Sequence, residues 1–390
     1  MHFVKKLYRK FFWIFLEKPI AAIFKYLPVK KNRIIFDNFG GRGYGENPKY
    51  IAEVLHQKEI NLQMVWLINN MENYEFPKYI CPVKIDSVRA LYMRATAKVW
   101  IDNVRHRHPI KKKENQVYLQ TWHGAMGAKR IEGEAEALLD KKYIEEAKYD
   151  GKIVNAILVD NSMQEQQMLR GFWLNSDVEF LRYGIPRNDQ FMRDKNDLEK
   201  ISTLRNKLFM NKSYYYVLYA PTFRDDFSTK GYEIDFESVI IAFEKITGKK
   251  TKIIIRLHPN AAFQKKYITF SDNIIDGNIY PDIKDLSLVS NAVISDYSSS
   301  LFDFALLEKP AFVCALDYED YKEKRGFIKE FYEFPFPIAK SNYELIKIIT
   351  SFDLKEYREN LREFYKKYPV YSDGHSAEKT ADWVLKHMKI

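Results

Sequence analysis

Two patterns of apolar and polar residues alternate along the chain, one typical of buried strands and one typical of amphipathic helices. Short apolar runs are typical of strands buried on both faces, and they are followed by stretches with the apolar spacing of amphipathic helices. Such alternation predicts open parallel sheets with helices on both sides, an α/β fold. The predicted strands are Arg33–Asn38, Met64–Ile68, Lys98–Asp102, Val117–Thr121, Ala156–Val159, Val178–Arg182, Tyr214–Tyr219, Lys252–Leu257, Ala292–Ser295 and Ala311–Ala315.

The helical pattern places a long charged segment, Asp194–Met210, between two series of strands, and we interpret it as a connector. A chain of 390 residues also exceeds one ordinary domain. The other predicted helices are Lys49–His56, Val88–Ala95, Lys141–Lys148, Gln164–Phe172, Phe236–Lys245, Ile283–Ser290, Leu301–Leu307, Asn342–Ile349, Leu354–Lys367 and Ala377–His387. We therefore expect four parts: a basic segment 1–31, an α/β domain 32–193, an α/β domain 194–372 and a C-terminal helix 373–390.

Composition changes this picture only slightly. The 46% hydrophobic and 29% charged residues are globular proportions, which exclude a disordered or fibrous chain. The two cysteines, Cys81 and Cys314, are too few and too distant for a disulfide framework or a CxxC zinc site, and they suit a reducing compartment.

Positive charge is concentrated at the N-terminus. The chain carries a net charge of +10, and residues 1–31 supply +7 of it, with eight basic residues against Glu17. The nearly neutral remainder argues against a nucleic-acid partner. The longest apolar run of the segment, Phe11–Leu16, is much shorter than the ~20 residues that span a bilayer. We predict a basic amphipathic helix that lies on an anionic membrane surface; the alternative is a helix packed on the protein itself.

Ligands of open α/β sheets bind beyond the carboxyl ends of the strands, so the residues that follow each strand are the candidates for chemistry. His123 follows the strand Val117–Thr121 within the sequence Gln-Thr-Trp-His-Gly, and imidazole is suited to proton transfer near neutral pH. Arg256 and His258 follow Lys252–Leu257, two positions apart, and suit a phosphate group. Each could instead be structural: a buried histidine, or an arginine in a surface salt bridge.

A third candidate, Asp296–Ser300, joins a strand to a helix. Its hydroxyl and backbone N–H groups can form an anion cradle, although ordinary helix capping is the commoner use of such serines. Asp303, one turn further on, suits a sugar or glycerol hydroxyl better than a phosphate. Pro221–Asp226, which contains Thr222 and Arg224, and Gly184–Asp189, which contains Arg187, are weaker candidates because their composition also favours plain turns.

Several common catalytic motifs are absent from the sequence. It contains no Walker A loop, GxSxG, HExxH or GxGxxG motif. His106 and His108 have no evident third ligand, so we expect no metal and no cofactor.

The order of these motifs resembles the CDP-glycerol glycerophosphotransferase family, bacterial enzymes that prime or extend teichoic-acid and capsular polymers. The resemblance covers roughly Arg33 to Asp373. The motifs that carry it are Gly43-Tyr44 with Asn47-Pro48-Lys49, Gln120–Gly124, Pro221–Asp225, Arg256–Pro259, Asp296–Asp303 and Arg325-Gly326-Phe327.

The resemblance implies a GT-B-like pair of Rossmann-type domains that face a cleft, with the donor held mostly by the second domain. An acceptor hydroxyl would attack the distal phosphorus of CDP-glycerol and release CMP. His123 matches the general base of the family, and we assign His123 and His258 as catalytic residues. Arg256 and His258 match the pair at the donor pyrophosphate. The substrate-binding residues assigned on this basis are Trp122, Gly124, Arg187, Pro221, Thr222, Arg224, Arg256, Asp296, Ser298, Ser299 and Asp303.

The chain departs from the family directly after Gly124. Many members have Thr-Pro-Leu-Lys there, whereas this sequence has Ala125-Met126-Gly127-Ala128-Lys129. The acceptor and the polyol therefore stay open. The expected partners are CDP-glycerol, a lipid-linked or polymeric acceptor, and the cytoplasmic face of the cell membrane, to which residues 1–31 would bind peripherally. The alternatives are the same fold with CDP-ribitol or another nucleotide-activated donor and, in a different class, a non-catalytic binder of anionic polymer.

Overall fold

The computed structural model describes residues 17–389 except residues 106–107, 125–126, 209, 225–227, 258 and 281–282. Their internal contacts divide the chain into two units. The first unit comprises the described part of Met1–His123, with Ile131–Asp189 and Tyr371–Ile390; the second comprises Gly124–Arg130 and Gln190–Val370. The short segment after His123 therefore belongs to the second unit, and the C-terminal segment belongs to the first.

Each unit is built on one parallel sheet. The first sheet has seven strands in the order β3-β2-β1-β4-β5-β6-β7, and the second has six in the order β10-β9-β8-β11-β12-β13, counted over the described residues. The strands of the first sheet are β1 (Lys30–Asp37), β2 (Gln63–Ile68), β3 (Ile80–Lys84), β4 (Ala97–Asp102), β5 (Val117–Gln120), β6 (Ala156–Leu158) and β7 (Glu179–Leu181). Those of the second are β8 (Tyr215–Tyr219), β9 (Thr251–Ile255), β10 (Ile274–Asp276), β11 (Ala292–Ser295), β12 (Ala311–Cys314) and β13 (Ile338–Ala339).

Helices connect the strands. Because parallel neighbours cannot be joined by a tight hairpin, each crossover needs a segment long enough to return along the sheet. The helices are α1 (17–24), α2 (Glu46–Gln57), α3 (Val88–Thr96), α4 (Lys141–Ile153), α5 (Ser162–Gly171), α6 (Asp189–Asp194), α7 (Leu198–Lys207), α8 (Phe236–Thr247), α9 (Ile283–Val289), α10 (Ser300–Ala305), α11 (Tyr318–Lys324), α12 (Asn342–Thr350), α13 (Leu354–Lys367) and α14 (Ser376–Met388). Short 3₁₀ helices include Glu132–Leu138, Pro186–Asn188 and Gly277–Ile279.

The continuous apolar runs of the central strands reflect burial on both faces. In β1, Ile34 and Phe36 belong to one core and Ile35 to the other, since successive side chains of a strand point to opposite faces. Val217 and Tyr219 of β8 likewise lie in the core under α8 and α12. This two-sided burial holds the carboxyl ends of β1, β4 and β5 at one edge of the first sheet.

The sequence pattern missed three strands, β3, β10 and β13. Each ends a sheet, where one edge has no partner strand in the sheet order, so a short strand with weak apolar character is enough. β3 also contains Pro82, which is tolerated in an edge strand because one side makes no ladder hydrogen bonds. Neither a short run nor an internal proline produces a strand signal in the sequence.

The predicted connector helix, Asp194–Met210, is present but shorter, because α7 covers only Leu198–Lys207. α6 ends at Asp194, and α7 begins at Leu198 after Asp197, whose carboxylate accepts a hydrogen bond from the backbone N–H of Lys200. An aspartate in this position caps a new helix and so interrupts the old one.

The predicted N-terminal helix lies mostly outside the described residues. Residues 17–24 are helical, and Lys30 already begins β1. On α1, Ala21 is buried and Ile20 and Phe24 pack on the core of the first unit, while Ile23 is 65% exposed. Among the described residues, no helix has the length and apolar character needed to cross a bilayer.

The C-terminal helix α14 is fastened to the first unit by Asp189. The two carboxylate oxygens of Asp189 accept hydrogen bonds from the N–H groups of Ser376 (2.9 Å) and Ala377 (2.8 Å) at the start of α14. Ala381 and Val384 then pack in the same core as β1. A buried carboxylate thus joins the end of the loop after β7 to a helix almost two hundred residues later in the chain.

We expect Asp189→Ala to lower the free energy of unfolding by about 1–2 kcal/mol, since two backbone donors at a helix start lose their acceptor. Urea unfolding followed by tryptophan fluorescence measures this change. The matched control, Asp189→Asn, keeps one oxygen acceptor and should lie between the alanine variant and the wild type. Equal urea midpoints for all three proteins would contradict the role of Asp189 in fastening α14.

Candidate functional site

His123 lies at the carboxyl edge of the first sheet, next to the residue that follows β4. Its Nδ1 lies 2.9 Å from the carbonyl oxygen of Asn103. Because a carbonyl oxygen can only accept, the hydrogen is on Nδ1, and Nε2 of the neutral ring carries the lone pair. The ring is therefore held in the tautomer that a general base needs.

Aromatic rings surround this imidazole. The ring centroid of Trp122 lies 4.2 Å from that of His123, and the ring centroid of Phe39 lies 5.3 Å from that of His123. Trp122 packs in turn on Phe172, at 4.8 Å and nearly perpendicular. Trp122 also has a φ of +51°, a left-handed conformation that costs a non-glycine residue about 1–3 kcal/mol.

Arg187, predicted to contact the donor, is 9% exposed and lies beside the same turn. Its Nη1 donates to Oε2 of Glu46 (2.8 Å) and to the carbonyl oxygen of His123 (2.7 Å). The structure thus brings Trp122, His123 and Arg187 together within the first unit.

In the second unit, Thr222, Arg224 and Asp296 form one buried frame with Asp317. Arg224 donates Nε to Asp317 (2.6 Å) and Nη1 to the carbonyl oxygen of Thr222 (2.7 Å), and its Nη2 lies 2.8 Å from Asp296. Asp296 also accepts from the backbone N–H and the hydroxyl of Thr222. The cation and the two carboxylates neutralise one another only in part, leaving one negative charge.

Burial opposes the charged form of Arg224, but the charges of Asp296 and Asp317 outweigh it, so the pKa of Arg224 lies above its ordinary value. Tyr297 also belongs to the frame, because its hydroxyl donates to Asp317 (3.1 Å). Gly231 packs directly on it: a Cβ there would lie 2.6 Å from Nη2 of Arg224, which only glycine avoids. Arg224 is thus committed to supporting the strand ends, and Asp296 shares that task.

Ser298 and Ser299 follow this frame and precede α10, where both are half-buried. The hydroxyl of Ser298 accepts from the backbone N–H of Ser300 (3.2 Å), so it caps the turn. Ser299 makes no side-chain cap hydrogen bond, and Gly124 packs on its hydroxyl, where a Cβ would lie 3.4 Å away. Asp303 lies in the first turn of the same helix. The structure brings Gly124, Ser298 and Ser299 together.

Arg256 follows β9 and is anchored to the loop after β10. Its Nη1 donates to the carbonyl oxygens of Gly277 (3.1 Å), Asn278 (3.1 Å) and Tyr280 (2.6 Å). Pro221 is buried at the end of β8. His258 lies outside the described residues, so its assignment stays a prediction.

Sequence reasoning overlooked four residues: Asn47 and Gln120, which hydrogen-bond to the main chain of the Trp122–His123 turn, Asn103 and Asp317. The first three carried a signal, since Asn103 directly follows a predicted strand and Asn47 and Gln120 lie inside the quoted motifs. Asp317 carried none, because its partner Arg224 lies far away in the sequence. Among the described residues, no group of three or more His, Cys, Asp or Glu side chains could hold a metal ion.

We expect Arg224→Met to lower the free energy of unfolding by about 3–5 kcal/mol, because it leaves the carboxylates of Asp296 and Asp317 buried without their cation. Urea unfolding gives the value. Arg224→Lys, which keeps the charge, should lose less, and Arg358→Met on the exposed face of α13 controls for the loss of an arginine. If Arg224→Met unfolds at the same urea concentration as the wild type, the buried frame does not stabilise the protein as proposed.

Comparisons with known proteins give one consistent result. The model of the family described as CDP-Glycerol:Poly(glycerophosphate) glycerophosphotransferase matches residues 20–386. A teichoic acid poly(glycerol phosphate) polymerase of Bacillus subtilis is 31% identical over 95% of this chain and 50% of its own length. A teichoic acid glycerol-phosphate transferase of Staphylococcus aureus is 28% identical over 95% of this chain and 98% of its own.

The chain spans about half the length of the first polymerases it matches. Among solved structures, a variant of the wall teichoic acid polymerase TagF is similar with a TM-score of 0.82, 27% identity and coverage of 99% of this chain and 98% of that one. Another TagF variant, soaked with CDPG, gives a TM-score of 0.81. The predicted fold class, two parallel-sheet α/β domains of the GT-B-like type, is confirmed.

Proposed function

Because the chain belongs to the CDP-glycerol:poly(glycerophosphate) glycerophosphotransferase family, we propose that it transfers glycerol phosphate from CDP-glycerol to an acceptor hydroxyl and releases CMP. The acceptor oxygen forms a bond to the phosphorus that bears glycerol, and the bond from that phosphorus to the bridging oxygen breaks. The electron pair of the broken bond leaves with CMP. The hydroxyl proton passes to a base, for which we propose Nε2 of His123.

The hydrogen bond from Nδ1 of His123 to Asn103 is the observation that carries this proposal. A ring fixed in this tautomer needs no reorganisation before it accepts the proton at Nε2. For the donor we propose Ser298, Ser299, Arg256 and His258, with Asp303 and Thr222 at its polyol or ribose hydroxyls. Hydroxyl, guanidinium and imidazole groups stabilise the charge that develops on the transferred phosphate. The TagF structure soaked with CDPG supports this choice of donor.

CMP release from CDP-glycerol, measured with a lipid-linked glycerol-phosphate acceptor, tests the proposal. Loss of the base in His123→Ala should lower kcat by about 10²–10⁴-fold. The control is His375→Ala, which removes an imidazole that is 58% exposed at the start of α14. CDP-ribitol is assayed in parallel as the competing donor. Full activity of His123→Ala would count against His123 as the base. Faster turnover with CDP-ribitol than with CDP-glycerol would count against CDP-glycerol as the donor.

We further propose that the protein works peripherally at the cytoplasmic face of the cell membrane, where a lipid-linked acceptor would lie. The +7 charge of residues 1–31 supports this placement. On the described part of that segment, Ile23 is 65% and Tyr26 is 79% exposed, while Lys18 and Lys25 are exposed beside them. Exposed apolar and aromatic side chains next to lysines have the chemistry of an interfacial helix.

Vesicle flotation tests the membrane placement. We expect binding to phosphatidylcholine vesicles that contain phosphatidylglycerol, weaker binding to phosphatidylcholine alone, and release at high salt because screening weakens the charge attraction. The double substitution Ile23→Ser with Tyr26→Ser should weaken binding. Its control is Ile241→Ser, which removes an isoleucine that is 64% exposed on α8. Equal binding to both vesicle types would argue against the electrostatic part.

A further inference from the structure

The turn that presents His123 is built around a residue in an unusual conformation. Trp122 has a φ of +51°, and few residues other than glycine, asparagine and aspartate adopt that region. Such conformations persist only where the surroundings over-determine them, and they concentrate at functional sites. Polar side chains, rather than the rings that pack on the imidazole, bind the main chain of this turn.

Three side chains bind the main chain of the turn. Oε1 of Gln120 accepts from the N–H of Trp122 (2.9 Å). Nδ2 of Asn47 donates to the carbonyl oxygens of Thr121 (3.2 Å) and Trp122 (3.0 Å). Nη1 of Arg187 donates to the carbonyl oxygen of His123 (2.7 Å). We call Asn47, Gln120 and Arg187 the turn clamp.

Asn47 and Arg187 are also fixed to each other. Oδ1 of Asn47 accepts from the backbone N–H of Arg187 (3.2 Å), which settles which end of the amide faces the turn. The same Nη1 of Arg187 also donates to Glu46, which is the first residue of α2. One end of the clamp therefore joins the start of α2 to the loop after β7.

Gln120 is fixed by a chain of hydrogen bonds that runs into the interior. Its Nε2 donates to the hydroxyl of Tyr118 (3.0 Å), which donates to Oδ1 of Asp150 (2.9 Å). Asp150 is fully buried and pairs with Arg105 and with His108. The orientation of the Gln120 amide is thus set by a buried charged cluster, and Oε1 is left facing Trp122.

We infer that Asn47, Gln120 and Arg187 are positioning residues, which hold the Trp122–His123 turn so that the imidazole is presented for proton transfer. The inference rests on the proposed function, in which His123 is the base. It assigns Arg187 to the turn rather than to a contact with the donor. Substitution within the clamp then lowers kcat through His123 and leaves the affinity for the donor unchanged.

Asn47→Asp is the first test, because it preserves the shape of the side chain and replaces an amide donor with an oxygen that faces two carbonyl oxygens. We expect kcat to fall by about 100-fold, the scale of a misplaced catalytic group, with the KM for CDP-glycerol unchanged. Asn206→Asp, which makes the same change at an exposed position of α7, should retain wild-type kinetics. Wild-type kcat in Asn47→Asp would overturn the inference.

Arg187→Lys separates the positioning role from a donor contact. Its dissociation constant for CDP-glycerol, measured by calorimetry in the His123→Ala background, should stay within about twofold of that background alone. A loss of tenfold or more would return Arg187 to the donor site and overturn its place in the clamp. Should Arg187→Lys fold poorly, Glu46→Gln loosens the same guanidinium with a smaller change, and the same two outcomes apply.

A spectroscopic measurement keeps this inference separate from the proposed function. Histidine labelled with ¹⁵N reports the tautomer of each ring, and the signal lost in His123→Ala identifies His123. We expect one Nδ1–H tautomer in the wild type and a mixture of tautomers in Asn47→Asp. An unchanged signal in Asn47→Asp would overturn the clamp, whereas absence of binding and turnover of CDP-glycerol by the wild type would overturn the proposed function alone.

Discussion

The hydrogen bond between Nδ1 of His123 and the carbonyl oxygen of Asn103 decides which nitrogen of the imidazole can accept a proton. This bond needs the ends of β4 and β5 side by side, and the parallel sheet supplies that arrangement through the pairing of Asp102 with Gln120. Asn103 is itself held, since its side chain donates to Asn38 (2.7 Å) and accepts from the N–H of Phe39 (2.8 Å). The chemistry of the ring therefore depends on the order of three strands, β1, β4 and β5.

Both units support their strand ends with a buried arginine placed between two carboxylates. In the first unit, Arg94 is buried between Asp37 and Asp102, so a cation supports the strand ends on which the His123 turn is built. In the second, Arg224 supports the ends of β8 and β11 through Asp296 and Asp317. A buried guanidinium with two carboxylates is a rigid support rather than a phosphate site, because its donors are already committed to buried acceptors. A basic residue at a strand end thus does not by itself indicate an anion site.

The sequence was sufficient for the fold class, because the central strands are buried on both faces and leave continuous apolar runs. It was insufficient at the sheet edges, where β10 and β13 are too short to show a period, and at Asp197, whose capping role depends on local geometry. For the candidate site, position after a strand predicted His123, Arg256 and Ser299, and their roles stay predictions. The partners of Arg187 and Arg224 could not be predicted, because Glu46 and Asp317 are remote in sequence and meet them only in the folded unit.

The segment after His123 shows how two of the distant motifs are physically related. Lys129 forms an antiparallel bridge with Phe327, and the N–H of Ile328 donates to the carbonyl oxygen of Ala128 (2.9 Å). The rings of Phe327 and Tyr297 are in contact, with centroids 5.4 Å apart, and Tyr297 directly precedes Ser298.

Phe327 of the Arg325-Gly326-Phe327 motif therefore contacts Lys129 on one side and Tyr297, which precedes the serine turn, on the other. Gly124 lies against Ser299 of the same turn. Gly326 has a φ of +67°, and a Cβ there would lie 3.3 Å from Nε of Arg130, so the motif needs a glycine where the two segments meet. Ala128 and Lys129 are thus attached to the rest of the second unit through Phe327 and Ile328.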